Sequence, residues 1–186
     1  MVNKVFVIGI DHSVTAMFKN EGWDVRDDPQ EADFLCFTGG ADVSPDLYGE
    51  VNVGLSYTDP ARDTRETALY NAFKGAKRFI GICRGGQFLN VMNGGKMVQD
   101  IPGHRMGRQS SWIAFMESLV SVNLHEDHHQ GIVPAETGQV FAWSKKDNVC
   151  EGVWYPETRS FCFQPHPEWG DEPTRQAFFN LLHFYR

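Results

Sequence analysis

Segments with the character of strands and of helices alternate along the first half of the chain. Short apolar runs such as KVFVIGI and ADFLCFTGG favour strands that are buried on both faces. The predicted strands are 4–10, 23–27, 32–40 and 77–82, and the predicted helices are 14–22, 60–76 and 85–95. This order predicts an α/β fold with a mostly parallel, doubly wound central sheet, built as a single domain over residues 1–186.

The second half of the chain has strand-like segments without helices between them. They lie at 119–124, 139–144, 148–155 and 160–164, with turn-forming residues between. We expect these segments to add antiparallel strands to the sheet. A last helix is predicted over 171–186, with its apolar residues on one face. Residues 41–59 are rich in Gly, Pro and Asp and are predicted to form a long surface loop.

Composition and charge exclude several classes of function. The chain has 24 acidic and 17 basic residues, a formal net charge of -7 and no basic block, which argues against a nucleic-acid partner. No apolar run approaches the roughly 18 residues of a membrane-spanning helix, and the N-terminus does not resemble a signal peptide. None of the four cysteines forms a C-x-x-C pair. We therefore expect a reduced, cytoplasmic protein without a zinc ribbon.

A cysteine stands where a predicted strand meets a predicted helix. The sequence Gly81-Ile82-Cys83-Arg84-Gly85 is the cysteine counterpart of the G-x-S-x-G turn that carries the nucleophile of α/β hydrolases. In such a turn the backbone N–H of Arg84 can face a developing oxyanion, and the helix N-terminus favours the thiolate of Cys83. The motif alone fits a buried cysteine before a glycine-rich turn about equally well, so a catalytic role requires a base.

His166 is the histidine with an obvious orienting group. Glu168 follows it by two residues in QPHPE, and the flanking prolines predict an extended segment in which both side chains point the same way. A cysteine, a histidine and an acid together perform nucleophilic acyl transfer. Taken alone, this segment also fits a proline-rich loop with a solvated histidine. Its combination with the elbow at Cys83 favours catalysis.

Several motifs carry a resemblance to a known family. GICRGGQFLNVMNGG followed by QPHPE resembles the class I glutamine amidotransferase-like superfamily. FTGGADVSPDLYGE, PARDTRETAL, DHHQ and GGKMVQDI are similar to its γ-glutamyl-γ-aminobutyrate hydrolase branch, and the likeness extends over nearly the whole chain. The resemblance implies a flavodoxin-like three-layer sandwich with Cys83 as nucleophile, His166 as base and Glu168 as the partner of the base. It implies no metal and no organic cofactor.

The resemblance also implies the surroundings of the nucleophile. The backbone N–H groups of Gly40 and Arg84 would form the oxyanion hole, and Gly39 and Gln87 would contact the γ-glutamyl group of the substrate. The chain departs from the branch in a shortened region between 99 and 129. It departs again at Gly86 and Pro165, where the branch commonly has bulkier residues.

Two further sets of polar residues are open to more than one interpretation. The segment HEDHHQ, at 125–130, has His125 and His128 three residues apart, but it lacks the helical pattern that would direct both at one metal ion. A surface turn is one alternative, and the resemblance offers another, in which a stretch of three residues lines the substrate pocket. Those pocket residues are His128, His129 and Gln130.

Asp63 and Glu66 lie near the start of the predicted helix at 60–76. They are either capping and first-turn charges of that helix or the carboxylates that receive the α-ammonium group of a γ-glutamyl substrate. The resemblance makes the second role plausible, and both interpretations stay open at this point.

Three hypotheses for the function follow. The first is a hydrolase that cleaves a γ-glutamyl amide, either glutamine or a γ-glutamyl-amine conjugate, through a γ-glutamyl thioester on Cys83. The second is a glutaminase that supplies ammonia to a separate synthetase chain. The third is a non-catalytic binding module on the same fold. In each case a small γ-glutamyl molecule is the expected ligand, with neither nucleic acid nor membrane as a partner.

Overall fold

The computed structural model of the chain describes residues 2–9, 11–105, 107–169 and 171–185. Their helices are α1 His12–Asn20, α2 Pro60–Phe73, α3 Arg84–Met92 and α4 Glu172–Tyr185. The strands of the first half are β1 Lys4–Ile8, β2 Asp24–Arg26, β3 Phe34–Phe37, β4 Arg78–Ile82 and β5 Lys96–Val98. Those of the second half are β6 Gly107–Phe115, β7 Ser118–Glu126, β8 Gly131–Val133, β9 Gln139–Ser144, β10 Cys150–Tyr155 and β11 Ser160–Phe163.

One sheet runs through the molecule in the order β2-β1-β3-β4-β11-β10-β9-β6-β7, and β8 joins it through β10 and pairs with β5. The strands from β2 to β11 are parallel, whereas those beyond β11 are antiparallel. The predicted mostly parallel sheet with antiparallel additions is therefore confirmed. The segment 160–164 differs from the expectation, because β11 is inserted parallel to β4, with Phe163 opposite Ile82.

Helices cover both faces of the sheet. On one face α1 and α4 pack their apolar residues, including Phe18 and Phe178, against the sheet. On the other face α2 and α3 pack their apolar residues, including Tyr70 and Phe88, against the sheet. All four side chains are at most 1% exposed, and full burial of one large apolar side chain stabilises the fold by about 1.5–3 kcal/mol. The result is the expected three-layer sandwich.

Most helices predicted from the sequence are observed within a few residues of their expected bounds. Three strands, β5, β6 and β8, were not predicted, and β6 pairs with β7 along its whole length in an antiparallel hairpin. The last residue of the predicted strand 4–10 and the last residue of the predicted helix 171–186 lie outside the described residues. Within the described parts of the chain, each helix is too short or too polar to cross a membrane.

The segment 41–59 is held more firmly than a surface loop. It contains a short 3-10 helix, Pro45–Tyr48, and buries Val43 completely. Two side chains from the segment around β5 anchor it. Lys96 donates to the carbonyl oxygen of Tyr48 at 2.6 Å, and Gln99 donates to that of Val51 at 2.9 Å. These contacts fix the wall of the cavity described next.

Candidate active site

Cys83 lies in a strained turn between β4 and α3. Its backbone has φ 50° and ψ −114°, a conformation that non-glycine residues rarely adopt and that is common at functional sites. The turn requires close backbone contacts. A Cβ atom on Gly81 would overlap the carbonyl group of Gly85, and one on Gly85 would overlap that of Phe37. Both positions therefore require glycine, and the predicted elbow is confirmed as a backbone structure.

His166 lies close to Cys83, next to Gly39. A Cβ atom added to Gly39 would lie 3.3 Å from Cε1 of His166 and 3.8 Å from Cβ of Cys83, so the three residues share one small space. The His166 ring stacks on Trp169, with ring centroids 3.9 Å apart and an interplanar angle of 9°. Its Nδ1 is 2.7 Å from Oε1 of Glu168. This contact leaves Nε2 as the ring nitrogen that can serve Cys83.

The backbone around His166 differs from the expectation. Residues Pro167–Trp169 form a 3-10 helix instead of an extended strand, and the turn, not strand alternation, brings Glu168 to the imidazole. The backbone N–H of His166 donates to the carbonyl oxygen of His125 at 2.8 Å, which ties this turn to the end of β7. The predicted pairing of side chains is present, although the predicted local conformation was wrong.

The electrostatics of His166 fit a charged imidazole. Burial alone would lower its pKa, but the charge of Cys83, a hydrogen bond with Cys83 and the contact with Glu168 together raise the pKa to about 10. The imidazole of His166 is therefore placed to hold a proton beside Cys83 at neutral pH.

A change at Glu168 tests this electrostatic arrangement. In Glu168→Gln one of the contacts that raise the pKa of His166 is lost. Because the imidazolium loses its proton as pH rises through its pKa, we expect the alkaline limb of the kcat/KM profile to shift to lower pH. The measurement is the rate of amide hydrolysis from pH 6 to 11, with the exposed Glu157→Gln as the matched control. An unchanged alkaline limb would contradict the assignment.

Cys83 opens on a cavity of about 190 Å³. The residues that line it are Gly40, Asp42, Cys83, Arg84, Gln87, Arg105, Asp127, His128 and His129. Arg84 is the first residue of α3, so its backbone N–H has no intrahelical partner and is available to a ligand. Gly40, with φ 129°, stands on the opposite wall. Both predicted oxyanion donors are thus brought to the same cavity as the thiol.

Arg62 supports the Gly39–Gly40 wall from behind. Its guanidinium donates to the carbonyl oxygens of Thr38 and Gly39, each at 2.8 Å. These contacts fix the carbonyl groups of Thr38 and Gly39 on the side of the loop that carries Arg62. The long 41–59 segment and α2 therefore serve to hold a short stretch of backbone in place.

Asp63 and Glu66 are not free to receive a substrate. Both carboxylates form buried ion pairs with the guanidinium of Arg84, and Glu66 also accepts from Nε of Arg62 at 2.7 Å. Neither lines the cavity that contains Cys83. The interpretation as an ammonium-binding pair is therefore not supported, and the two carboxylates act on the Arg84 side chain. The carboxylates that do line the cavity belong to Asp42 and Asp127.

Gln87 and Gly86 occupy the first turn of α3. The Gln87 amide lines the cavity and donates to Oε1 of Gln164 at 3.1 Å. Gly86 has an explanation in packing, because a Cβ there would lie 3.1 Å from N and 3.2 Å from O of Phe163. The missing side chain lets α3 approach β11 closely, so no space is left unfilled at this position.

The three residues at the end of HEDHHQ have different environments. His128 and His129 line the cavity, as expected, and the His129 ring contacts Asp42 at 3.0 Å and Asp100 at 3.3 Å. Gln130 is fully buried behind the cavity and donates to Oγ of Ser56 at 2.9 Å. His125 packs edge-on against the Trp169 ring, with centroids 5.0 Å apart. His125 is therefore not placed to bind a metal ion together with His128.

A buried polar cluster behind His128 was missed by the sequence analysis. The members of this cluster are the neighbouring residues Glu126 and His128 and, from distant segments, His104 and Glu151. Burial would lower the pKa of each histidine, but contacts with the two glutamates raise both values to about 10. The only sequence signal was the presence of Glu126 in the HEDHHQ segment, because the other two members are separated from it by more than a turn or a strand.

The comparisons with known proteins identify the family of the chain. A family model described as Peptidase C26 matches residues 13–168. A glutamine amidotransferase-like protein of Lactococcus lactis, YvdE, is 34% identical over 173 residues, which is 81% of this chain and 72% of that protein. The Mycobacterium tuberculosis protein Rv2859c, named as a glutamine amidotransferase, is 33% identical over 72% of this chain. The chain spans only 50% of the length of that relative.

Solved structures agree on the fold. A protein of Thermoplasma acidophilum described as a GMP synthase subunit superposes with a TM-score of 0.75 at 17% identity, covering 100% of this chain and 94% of the other. A glutamine amidotransferase of Thermotoga maritima gives a TM-score of 0.67 at 17% identity, covering 99% and 85%. At this level of identity the likeness shows the fold alone, and it confirms the flavodoxin-like arrangement predicted from the sequence.

Proposed function

The chain belongs to the Peptidase C26 family, hydrolases of the class I glutamine amidotransferase-like superfamily, and on that premise we propose that it hydrolyses a γ-glutamyl amide through a thioester on Cys83. One observation carries the proposal. A strained cysteine faces a histidine that is bonded to a buried glutamate, with two backbone donors at the same cavity. A cysteine that served only packing would not need this conformation or these neighbours.

The reaction follows from the positions of these groups. The Cys83 thiolate attacks the γ-carbonyl carbon of the glutamyl amide, and the N–H groups of Gly40 and Arg84 stabilise the negative oxygen that forms. His166 gives its proton to the leaving nitrogen, and the carbon–nitrogen bond breaks. Water then attacks the thioester, gives a proton to His166 and releases glutamate with the Cys83 thiolate. Glu168 fixes the ring orientation and stabilises the imidazolium during both steps.

The cavity suits the amino-acid end of a glutamyl substrate. Its volume of about 190 Å³ is below the roughly 300–1,000 Å³ of pockets for drug-sized ligands. Its charged side chains include Arg105, Asp127 and Asp42, and the carboxylate of Asp42 also contacts His129 at 3.0 Å. The α-carboxylate of a glutamyl substrate would pair with the guanidinium of Arg105. Its α-ammonium group would pair with a carboxylate, that of Asp42 or Asp127. The γ-glutamyl head would then be held at one end while its amide reaches Cys83.

Arg105 provides a test of this orientation. We expect Arg105→Gln to raise KM by roughly 10- to 100-fold, as for a lost charge-assisted hydrogen bond, with a smaller effect on kcat. Lys146→Gln, a basic residue outside this cavity, is the matched control. The discriminating measurement adds a substrate analogue that lacks the α-carboxylate. If Arg105→Gln impairs that analogue as strongly as the parent substrate, Arg105 does not bind the carboxylate.

Trapping the intermediate tests the proposed function directly. The protein is mixed with a panel of glutamyl amides, including glutamine and γ-glutamyl-γ-aminobutyrate, quenched in acid and analysed by peptide mass spectrometry. We expect a γ-glutamyl adduct on the peptide that contains Cys83. The motif FTGGADVSPDLYGE favours the γ-glutamyl-amine conjugates over glutamine. If no amide in the panel yields an adduct or free glutamate, the hydrolase proposal fails.

A second candidate is the supply of ammonia to a separate synthetase. The structural neighbour described as a GMP synthase subunit favours it, because a domain of this fold then works beside a partner chain. Turnover of glutamine that rises only in the presence of a synthetase would support this candidate. Turnover of γ-glutamyl-amine conjugates by the isolated chain would support the first. The four free cysteines agree with a reducing, cytoplasmic setting for either reaction.

A further inference from the structure

Two histidines and two glutamates from three segments of the chain meet in the interior, and we call them the His–Glu cluster. His104 precedes β6, Glu126 ends β7, His128 follows β7 and Glu151 lies in β10. Three of the four residues are 0% exposed, and His128 is 5% exposed. Charged side chains are almost never buried to this extent unless each is paired or coordinates a metal ion.

The nitrogen and oxygen atoms of the cluster surround one point. One atom from each residue can be chosen so that all four lie within 4.8 Å of one another. Nδ1 of His104 is 3.2 Å from Glu126 Oε2 and 3.3 Å from Glu151 Oε1. Nε2 of His128 is 3.6 Å and 3.5 Å from the same two carboxylates. Ligands about 2.0–2.1 Å from a tetrahedral zinc ion stand about 3.3–3.4 Å apart.

The other nitrogen of each histidine has a partner outside the cluster. Nε2 of His104 is 3.0 Å from Oδ2 of Asp147, and Nδ1 of His128 is 2.9 Å from the carbonyl oxygen of Gln130. Metal-binding histidines almost always donate their second N–H to a carboxylate or a backbone carbonyl, which fixes the ring and turns the unprotonated nitrogen toward the metal. Both rings of the cluster therefore have the orientation of ligands.

The contacts within the cluster leave part of it unsatisfied. Both carboxylate oxygens of Glu151 and Nε2 of His128 are buried without a hydrogen-bond partner among the described residues. A buried carboxylate that lacks hydrogen bonds is strongly unfavourable unless a cation compensates it. Oε1 of Glu151 is 3.3 Å from Nδ1 of His104 and its Oε2 is 3.5 Å from Nε2 of His128, so these atoms lie within the cluster. A cation in the space between the four side chains would satisfy them together.

From this geometry we propose that the His–Glu cluster binds one zinc ion, with His104, Glu126, His128 and Glu151 as its four ligands. Two carboxylates balance the double charge of the ion, so the buried site is neutral with uncharged imidazoles. Imidazole nitrogens disfavour Mg²⁺ and Ca²⁺, whereas two imidazoles with two carboxylates are ligands that zinc accepts, and the most widely spaced of the four ligand atoms, which lie within 4.8 Å of one another, would move closer around the ion. The protein supplies all four ligands and leaves no open position, which is the pattern of a structural site.

The position of the site indicates which part of the cavity wall the ion would fix. The loop between Glu126 and His128 carries the carbonyl oxygen of Asp127 to 3.9 Å from Sγ of Cys83. His128 and Asp127 also form part of the cavity wall. A zinc ion would thus join β10 and the segment before β6 to this wall and fix its distance from the thiol. The ion itself takes no part in the reaction proposed above.

Metal content and thermal stability test the proposal independently of activity. The experiments use the full chain with Cys83→Ala, so that zinc cannot bind at the catalytic cysteine. After removal of metal with a chelator, we expect one equivalent of Zn²⁺ to bind and none of Mg²⁺. At a hundredfold excess of Zn²⁺ over its Kd, Tm should rise by roughly 5–11 °C. X-ray absorption of the loaded protein should show nitrogen and oxygen ligands at about 2.0–2.1 Å and no sulfur.

Variants locate the ion. Glu151→Gln should lower zinc affinity more than 100-fold, and Asp147→Asn, at a partly exposed residue outside the cluster, by about 10- to 100-fold. The matched control Asp27→Asn should bind zinc as the parent does. Absence of zinc binding and of a Tm shift, which would mean that protons alone neutralise the cluster, overturns the proposal. A sulfur ligand on the zinc ion, or an unchanged zinc affinity in Asp147→Asn, would also overturn the proposal. Because Cys83 is absent throughout, none of these outcomes bears on the hydrolase proposal.

Discussion

Replacement of Cys83 by alanine is expected to lower kcat/KM for γ-glutamyl amides by roughly 10⁴-fold or more, the scale of loss when a triad nucleophile is removed. The physical reason is that no other side chain at the cavity can form the acyl intermediate, so hydrolysis would require direct attack by water. The backbone conformation of the elbow depends on Gly81 and Gly85 and not on the thiol, so the variant should fold.

Three measurements make this result specific. Cys162→Ala removes another buried thiol, in β11 and outside the cavity, and should retain most activity. Circular dichroism should show that both variants have the parent fold. The γ-glutamyl adduct should disappear from the peptide around residue 83 only in Cys83→Ala. Retention of activity by Cys83→Ala would remove the basis of the catalytic interpretation.

The largest expected effect on stability comes from the Arg84 side chain. Its guanidinium is 1% exposed and pairs with both Asp63 and Glu66. Arg84→Met leaves Asp63 without a cationic partner in the interior, and removal of one member of a buried ion pair typically costs about 3–5 kcal/mol. For a chain of this size we expect Tm to fall by roughly 6–20 °C. Arg65→Met, on the exposed side of α2, is the matched control and should change Tm little.

A compensating variant separates charge from packing. Arg84→Met combined with Asp63→Asn and Glu66→Gln removes all three buried charges together, and we expect it to regain much of the lost Tm. Because the oxyanion donor is the backbone N–H of residue 84, the compensated variant should also keep measurable hydrolysis. If Arg84→Met alone unfolds no more readily than Arg65→Met, the ion pairs do not stabilise the fold.

The elbow could be predicted from the sequence because its requirements are local. Gly81 and Gly85 flank a cysteine at the boundary between an apolar run and a helical segment, and steric overlap alone dictates glycine there. The pairing of His166 with Glu168 could also be predicted from the sequence, since the two residues lie only two positions apart. Its backbone was predicted wrongly, because two prolines are compatible with both an extended strand and a 3-10 turn.

Contacts between distant segments could not be predicted. The sequence left two interpretations open for Asp63 and Glu66, because it does not show that their carboxylates pair with the Arg84 side chain. The His–Glu cluster depends on residues as far apart as 104 and 151, brought together by the order of strands in the sheet. The position of β11 between β4 and β10 likewise follows from long-range pairing. The single-domain organisation stays a prediction.

The position of β11 in the sheet has a consequence for folding during synthesis. Strand β4, which delivers Cys83, has its second neighbour only when residues 160–163 have been made. At ribosomal speeds of about 5–20 residues per second, the edge of β4 stays open for roughly 4–16 s. During that time a nascent chain presents an unpaired apolar strand to its surroundings. Cys83 can contact His166 only after β11 and the turn that follows it have been made, so the two side chains stay apart until that point of synthesis.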